Sequence, residues 1–475
     1  MGGKAHSGKG VKSRFDGLDV AAMTSLVRRT LLGHKLANVY DGSQLLAAGG
    51  GGGSGTGGGA GGRATYILKL ANPSAASAPH QQQEADPGRA MLLIESGVRF
   101  HPTSYASSTA GGGDGRSAPS PFASKLRKHL RGLRLENATQ VGEVDRVVDF
   151  RFGAGGSAHH LVLELYAQGN LILTDAGYRI LALLRTHEYE GSGDGDGGAG
   201  GQVSVRVGSV YPVTFATTLR ASDGGDGSDA HAHADADEDA EHEDCGISAA
   251  SGLLGFDGPS ASAWARQEME AWRAMVEKKE EQRRYQPPGK GKKQGKKRKG
   301  ASISLKNLLF KPTSGVQSFG PSLLEHCILA ADLKPSLEIT PDNVGEVMSD
   351  AAWSALVGAL KTEGTAVMDR LANDDGGGYV LYRPKAAEDG ESSADGIPDT
   401  KPVGSIPHSD KVFEEFQPHL LRQHAERPSI RYPNFAAAVD EFFSLIEGQR
   451  RGTVWKGSAR TSRAAWTRSR DRWSG

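Results

Sequence analysis

The sequence predicts an α+β protein, and three observations in its first 215 residues carry this prediction. Residues 18–32 repeat apolar side chains at helical spacing, whereas residues 35–40 and 65–70 alternate apolar and polar side chains as strands do. Glycine-containing turns at 168–170 and 175–177 join further strand-like segments, a pattern typical of an antiparallel meander. We therefore expect helices packed on antiparallel strands.

The first predicted helix runs from Leu18 to Leu32. Asp16 precedes it in the position of an N-cap, and Gly33 follows it as a stop signal. Asp19 falls in the first turn, where free backbone N–H groups and the helix dipole favour a carboxylate. Spacing alone therefore gives Asp19 a structural role at least as readily as a functional one.

The next elements along the chain are a short strand and a basic helix. Met91 to Glu95 is almost continuously apolar and ends at the turn signal Ser96-Gly97. The helical pattern of Pro121 to Arg134 carries five cations and no acid, which is compatible with phosphate contact and equally with solvation. The cations are Lys125, Arg127, Lys128, Arg131 and Arg134.

Four strands close this region, and their residues suggest no catalytic centre. Asp145 and Arg146 are adjacent at the start of the first of them, where neighbours point to opposite faces, so a mutual ion pair is not expected. His159-His160 lacks an acid at ligand spacing, and no metal or cofactor is predicted. The strands are predicted at Arg146–Phe152, His160–Tyr166, Asn170–Thr174 and Tyr178–Arg185.

Composition divides the chain into patterned blocks and inserts. Glycine is in excess, at 65 of 475 residues, and it concentrates in stretches that read as expanded loop tips. An acidic block at 222–245 reads as a disordered loop, and the basic run Lys290–Lys299 suits a nuclear-localisation signal, an RNA contact or a solvated linker. We expect an α+β domain at 11–215 with inserts at 49–62, 106–119 and 191–201, an acidic then basic linker at 216–300 with a helix at about 261–285, helical regions at 301–395 and 410–449, and an atypical basic tail at 450–475.

The overall composition predicts a soluble intracellular protein. Lys+Arg and Asp+Glu are both 56, and 37% of residues are hydrophobic, so a fully disordered chain is excluded. Cys245 and Cys327 have no paired spacing, which favours a reducing compartment. No window approaches the roughly 18 apolar residues that a membrane span needs. We expect a cytoplasmic protein without a membrane partner, with nuclear shuttling as the alternative that the basic run suggests.

Six motifs, in order, resemble the N-terminal domain of the NFACT family, whose fold is a glycosylase-like mixture of helices and antiparallel strands. Two later segments, 319–335 and 412–449, resemble the family's helix-hairpin-helix middle region and the lead-in to its long coiled coil. The six motifs are FDGLDVAAMTSLV (15–27), KLANVYD (35–41), LLIESGVRFHPTSY (92–105), FASKLRKHLRGLRL (122–135), VDRVVDFRFG (144–153) and HHLVLELYAQGNLILTD (159–175).

The resemblance implies a ribosome quality control factor, not an enzyme. Such a factor binds the large ribosomal subunit that carries an obstructed peptidyl-tRNA, recruits aminoacyl-tRNA and supports template-free Ala/Thr addition (CAT tailing), while the ribosome forms the bonds. The family's tRNA-binding residues fall on Asp19, Asp145 and Arg146 of this sequence. An Arg can fork onto a phosphate or base edge and an Asp can accept from base amines. The basic helix is a further candidate for backbone contacts.

The sequence departs from the family pattern after Gln449. Residues 450–475 contain no Leu or Ile heptad, so they cannot form a coiled-coil seam, and we expect an altered reading frame or a truncated coding sequence. The family's coiled coil contacts the E3 ubiquitin ligase listerin, so this departure puts that partner in doubt. Two alternatives stay open: a nuclear-export or adhesion adaptor, and a DNA glycosylase-like enzyme, which the start Met1-Gly2-Gly3 disfavours because those enzymes use an N-terminal Pro.

Overall fold

The computed structural model of the chain mixes helices with antiparallel sheets, which confirms the α+β class. Its described residues fall into two compact units. The first lies within Met1–Val213, Leu371–Leu420 and Glu426–Gly475, and the second within Thr214–Arg370 and Leu421–Ala425. The structure describes residues 11–42, 64–73, 88–104, 119–141, 146–166, 168–189, 203–213, 252–284, 302–373, 376–384 and 411–446.

The first unit begins with a helix and a four-stranded antiparallel sheet. The Asp16 side chain caps the helix by accepting from the backbone N–H of Leu18 and Asp19, and Gly33 ends it with a φ of +80°. The strands are in sequence order within the sheet. The elements are α1 (Gly17–Leu31), β1 (Lys35–Asp41), β2 (Thr65–Ala71), β3 (Arg89–Glu95) and β4 (Arg99–Pro102).

A second, five-stranded antiparallel sheet follows, again in sequence order. Its inner face buries Val148, Phe150 and Phe152, and the ring of Phe150 meets that of Phe100 edge-on at 5.4 Å, so both sheets share one core. Two further strands, β10 and β11, pair as a separate antiparallel ladder. The elements are α2 (Pro121–Leu130), β5 (Leu135–Gln140), β6 (Val147–Phe152), β7 (His159–Glu164), β8 (Asn170–Asp175), β9 (Ile180–Leu183), β10 (His187–Tyr189) and β11 (Val203–Val205).

The second unit is mainly helical. Its long first helix packs against a buried tryptophan, Trp353, and the helix predicted at about 261–285 is present as Gly258–Arg284. The specific helix-hairpin-helix assignment stays a prediction. The elements are α3 (Gly258–Arg284), β12 (Ile303–Ser304), α4 (Leu305–Leu309), α5 (Gly320–Ala330), β13 (Glu338–Ile339), α6 (Val344–Val347), α7 (Asp350–Ala359), a π-helical turn (Leu360–Gly364) and α8 (Thr365–Asn373).

A three-stranded sheet and a last helix return to the first unit. The prediction that 410–449 is helical is wrong for the strands and right for the final helix, 435–446. Phe413 and Phe416 imitate helical spacing, but the ladder shifts register between Leu381 and Tyr382, which leaves Glu414 unpaired. This bulge turns both rings to the buried side. The strands are β14 (Gly378–Pro384), β15 (Lys411–Gln417) and β16 (Ser429–Tyr432), and residues 435–446 form α9.

Most elements predicted in the first region are present with shifts of one to three residues, whereas β4, β5, β10 and β11 were not predicted. The predicted boundary near 395 also differs from the structure, because β14 pairs with β15 and β16 and so groups with the first unit. The inserts, the acidic and basic blocks and the tail at 450–475 lie outside the described residues. Within the described helices, none is both long and apolar enough to cross a membrane.

Candidate nucleic-acid interface

Asp19 is buried at the start of α1 and holds two structural contacts. One carboxylate oxygen accepts the Asp16 N–H at 2.8 Å, which completes a reciprocal capping box, and lies 2.7 Å from the Lys12 Nζ. Asp19 is 0% exposed. The structural role that spacing suggested is therefore confirmed, and RNA cannot reach this carboxylate in the described conformation.

The charges around Asp19 are unevenly balanced. Lys12 Nζ also contacts Asp16 at 3.1 Å and the Phe416 carbonyl at 3.2 Å, so one cation serves two carboxylates. Burial and the neighbouring Asp16 charge raise the pKa of Asp19 well above its usual range. Its second oxygen, Oδ1, is buried and has no hydrogen-bond partner among the described residues. The cluster fastens the N-terminal segment to the helix start.

The connection from β5 to β6, which ends at Arg146, is tied to this helix start. The Gln140 side chain, at the end of β5, donates to the Gly17 carbonyl at 3.2 Å. The Val141 N–H donates to the Val147 carbonyl at 2.9 Å and closes the β5–β6 connection. Two separate motifs of the predicted site therefore converge on one end of the second sheet. Asp145 itself lies outside the described residues.

Arg146 lies at the described edge of this turn. Its guanidinium carbon is 5.1 Å from the centre of the Tyr166 ring, and its carbonyl accepts the Leu165 N–H at 2.8 Å. A half-buried guanidinium held on an aromatic face has a restricted set of orientations, which favours planar recognition of a base or phosphate. Tyr166 belongs to a quoted motif, but only its cross-strand position shows that it supports Arg146.

The five cations predicted on α2 and after it divide into two kinds. The Arg127 Nε donates to the Val39 carbonyl at 2.8 Å, which anchors the helix to β1. The other four side chains are exposed, and within the described part of the chain they form no hydrogen bond or ion pair. These four, Lys125, Lys128, Arg131 and Arg134, present positive charge to solvent.

Two histidine clusters lie in the same unit, and the first of them includes a residue of α2. His129 Nδ1 lies 3.3 Å from His159 Nε2, and burial together with the His159 charge lowers the pKa of His129, so it adds little charge at neutral pH. His160 Nδ1 lies 2.8 Å from an oxygen of Asp149, which also accepts the Tyr178 hydroxyl at 2.7 Å. Sequence spacing did not identify Asp149 as a partner of His160, because the two residues lie on neighbouring strands. Across the described ranges, no group of three or more His, Cys, Asp or Glu could hold a metal ion.

Comparison with known proteins places these motifs in context. A sequence model described as the NFACT N-terminal and middle domains matches residues 88–192. The human ribosome quality control complex subunit NEMF is 28% identical over 440 residues, which cover 93% of this chain and 28% of that protein. The Drosophila melanogaster homologue is 34% identical over 177 residues, or 37% of this chain and 14% of that protein.

A yeast protein is similar over a shorter region. The Schizosaccharomyces pombe ribosome quality control complex subunit 2 is 32% identical over 187 residues, which cover 38% of this chain and 14% of that protein.

Among solved structures, a fibrinogen-binding protein from Staphylococcus aureus aligns over 90% of this chain and 98% of its own, with 13% identity and a TM-score of 0.38. The chain thus spans less than a third of the length of the curated relatives it matches.

Proposed function

Because the chain belongs to the NFACT family, we propose that it acts in ribosome quality control. In this proposal it binds a large ribosomal subunit that carries an obstructed peptidyl-tRNA. It then positions a further tRNA and supports template-free addition of Ala and Thr to the stalled chain, while the ribosome forms the peptide bonds. The relatives named as ribosome quality control subunits support this role.

The observation that carries the proposal is the convergence of the helix start and the β5–β6 turn. Gln140 joins the turn to Gly17, and Arg146 rests on Tyr166 beside it. A stacked Arg next to an Asp offers a fork for phosphate or a base edge and an acceptor for base amines, the two contacts that an unstacked tRNA loop needs. Asp145 and Arg146 are assigned the direct contacts.

Asp19 is assigned a positioning role instead. Its buried contacts with Lys12 and Asp16 fix the first turn of α1, and the carbonyl of Gly17 in that turn holds Gln140. Loss of Asp19 would therefore loosen the platform on which the turn sits. The resemblance implies that the family's coiled coil contacts the E3 ubiquitin ligase listerin, and that partner is not part of this proposal.

The test is a double change, Asp145→Ala with Arg146→Ala, in the full chain. Tail addition on purified large subunits with an obstructed peptidyl-tRNA should be lost, and tRNA affinity should fall. A matched control is Arg206→Ala, because Arg206 is exposed in the same unit but lies near β11. Tail addition that is unchanged in the double variant would refute the assigned site. A wild-type chain that binds neither tRNA nor these subunits would refute the function.

A further inference from the structure

A like-charged pair of cations lies where the connection from α1 to β1 meets the connection from α2 to β5. The two segments exchange backbone hydrogen bonds in both directions: Gly132 N–H to Leu36 O at 2.8 Å and Leu36 N–H to Leu133 O at 2.8 Å. This pairing places Lys35 directly opposite Arg134 in an antiparallel bridge. Both side chains are exposed.

Like charges opposite each other on neighbouring strands destabilise a fold. Within the described residues, neither Lys35 nor Arg134 forms an ion pair or side-chain hydrogen bond that would offset the repulsion. Glu136 is the nearest acid along the chain, and it too has no ion pair there. The repulsion is removed at once when an anion lies between the two cations.

The pair is continuous with the exposed cations at the end of α2. Arg131 and Arg134 lie on either side of Gly132-Leu133, and the Gly132 N–H donates to the Leu36 carbonyl beside Lys35. Lys128 lies one turn before Arg131. The cations therefore come from two separate segments of the chain and have no acid interleaved, unlike a helix face that is merely solvated.

We infer that Lys35, Lys128, Arg131 and Arg134 form a phosphate strip that binds the sugar-phosphate backbone of RNA without reading bases. This inference rests on the proposed function, since the strip would bind the sugar-phosphate backbone of the same RNA that Arg146 contacts. Its chemistry differs from that of Arg146: these four side chains have no aromatic support among the described residues and act as point charges or forks on phosphate. Lys35 is the member that the basic helix alone does not include.

The experiment measures binding of the full chain to a tRNA transcript and to long-chain polyphosphate over a series of KCl concentrations. In Lys35→Gln with Arg134→Gln, we expect tRNA affinity to fall and the slope of log K against log salt to shrink by about 1.4 to 1.8, since each phosphate contact contributes about 0.7 to 0.9. Polyphosphate binding should weaken in parallel, because the strip needs no base. The charge-preserving swap Lys35→Arg with Arg134→Lys should retain both slopes.

A stability measurement separates the strip from a structural role. In Lys35→Glu, the new carboxylate should form an ion pair with Arg134 and raise the midpoint of thermal unfolding by roughly 1 to 3 °C. The same change should lower the affinity for both tRNA and polyphosphate. A slope that does not change in the double Gln variant would overturn the strip even if the wild type binds tRNA. A chain that binds tRNA and polyphosphate through Lys35 and Arg134, but adds no tail on obstructed large subunits, would retain the strip and refute the proposed function.

Discussion

At the scale of single residues, burial changes what a side chain's type suggests. A histidine is compatible with an exposed position, yet His101, which lies in β4, has only 1% of its surface exposed. Its Nδ1 lies 3.0 Å from the Pro102 carbonyl, and the neighbouring Arg99 pairs with Glu95 at 3.0 Å. Burial, and secondly the Arg99 charge, lower the pKa of His101 to about 3.

This shift predicts acid sensitivity. Since the pKa of His101 rises from about 3 when folded to 6.5 when unfolded, the stability it contributes is fully present above pH 6.5. That stability falls as the pH drops from 6.5 towards 3, by up to about 1.4 kcal/mol per pH unit. Between pH 7.5 and pH 5, urea unfolding of the wild type should therefore lose about 2 kcal/mol through this group.

His101→Asn should remove that part of the pH dependence, whatever its effect on stability at pH 7.5. An oxygen of Asp440 lies 3.8 Å from His101 Nδ1. Asp440 and Arg99 are present in both proteins, so the difference between the two pH profiles isolates His101. Equal losses in variant and wild type between pH 7.5 and pH 5 would contradict a neutral, buried imidazole.

A second residue-scale prediction separates Arg127 from Arg131, which sequence composition treats alike. Arg127→Ala removes the bond to the Val39 carbonyl, so the free energy of unfolding should fall by about 1 kcal/mol while the salt slope of tRNA binding stays constant. Arg131→Ala should do the reverse, with unchanged stability and a slope smaller by about 0.7 to 0.9. Urea titrations and binding isotherms on the two variants measure this; the same outcome for both would show that the distinction is wrong.

At the scale of elements, two turns are packed backbone to backbone. Gly97 joins β3 to β4 and Gly169 joins β7 to β8, and both adopt positive φ, +73° and +69°. A Cβ on Gly169 would lie 1.9 Å from the Gly97 nitrogen. The side chain of Arg185 reinforces this site by donating to the Gly169 carbonyl at 2.8 Å. The two sheets therefore meet at a point that admits no side chain.

Gly169→Ala should consequently destabilise the first unit strongly. We expect a loss of at least about 3 kcal/mol, because the backbone cost of positive φ, about 1 to 2 kcal/mol, adds to a clash with main-chain atoms that cannot rotate away. Gly208→Ala is the matched control: its φ is +91°, but a Cβ there meets nothing within 4 Å. It should show only the smaller backbone cost in urea unfolding. Equal losses in the two variants would rule out the close approach as the cause.

The elements also show how far sequence patterns reach. The capped helix α1 and the strands β1, β2, β3, β7 and β8 follow from local periodicity and turn residues, and they are where the sequence predicts them. β15 does not follow, because its bulge at Glu414 is set by pairing with β14, which is distant along the chain. The same limit applies to the site. Asp19 and Arg146 stand out in motifs, whereas Gln140, Tyr166 and the Lys35–Arg134 bridge depend on which segments become neighbours.

At the scale of the whole molecule, the balance of charge decides how RNA could be held. The chain has 56 basic and 56 acidic residues and a formal net charge of zero. A protein without net charge has little general attraction for a polyanion, so affinity depends on local groups of cations. In the first unit, exposed cations of α2 adjoin the bridged pair Lys35 and Arg134. Other cations, such as Lys12, Lys306 and Lys311, form ion pairs.

This distribution of cations predicts a moderate salt dependence of RNA binding, whose size follows from the number of phosphate contacts. If Arg146 and the exposed cations Lys35, Lys125, Lys128, Arg131 and Arg134 each meet one phosphate, six contacts give a slope of log K against log salt of about −4 to −5. Unstructured poly(U) should give a similar slope at lower affinity, because the strip does not read bases and only Arg146 gains from a shaped loop. Lys334→Ala, an exposed cation of the second unit, should leave the slope unchanged. A wild-type slope near −1 would show that these six cations do not bind phosphate together.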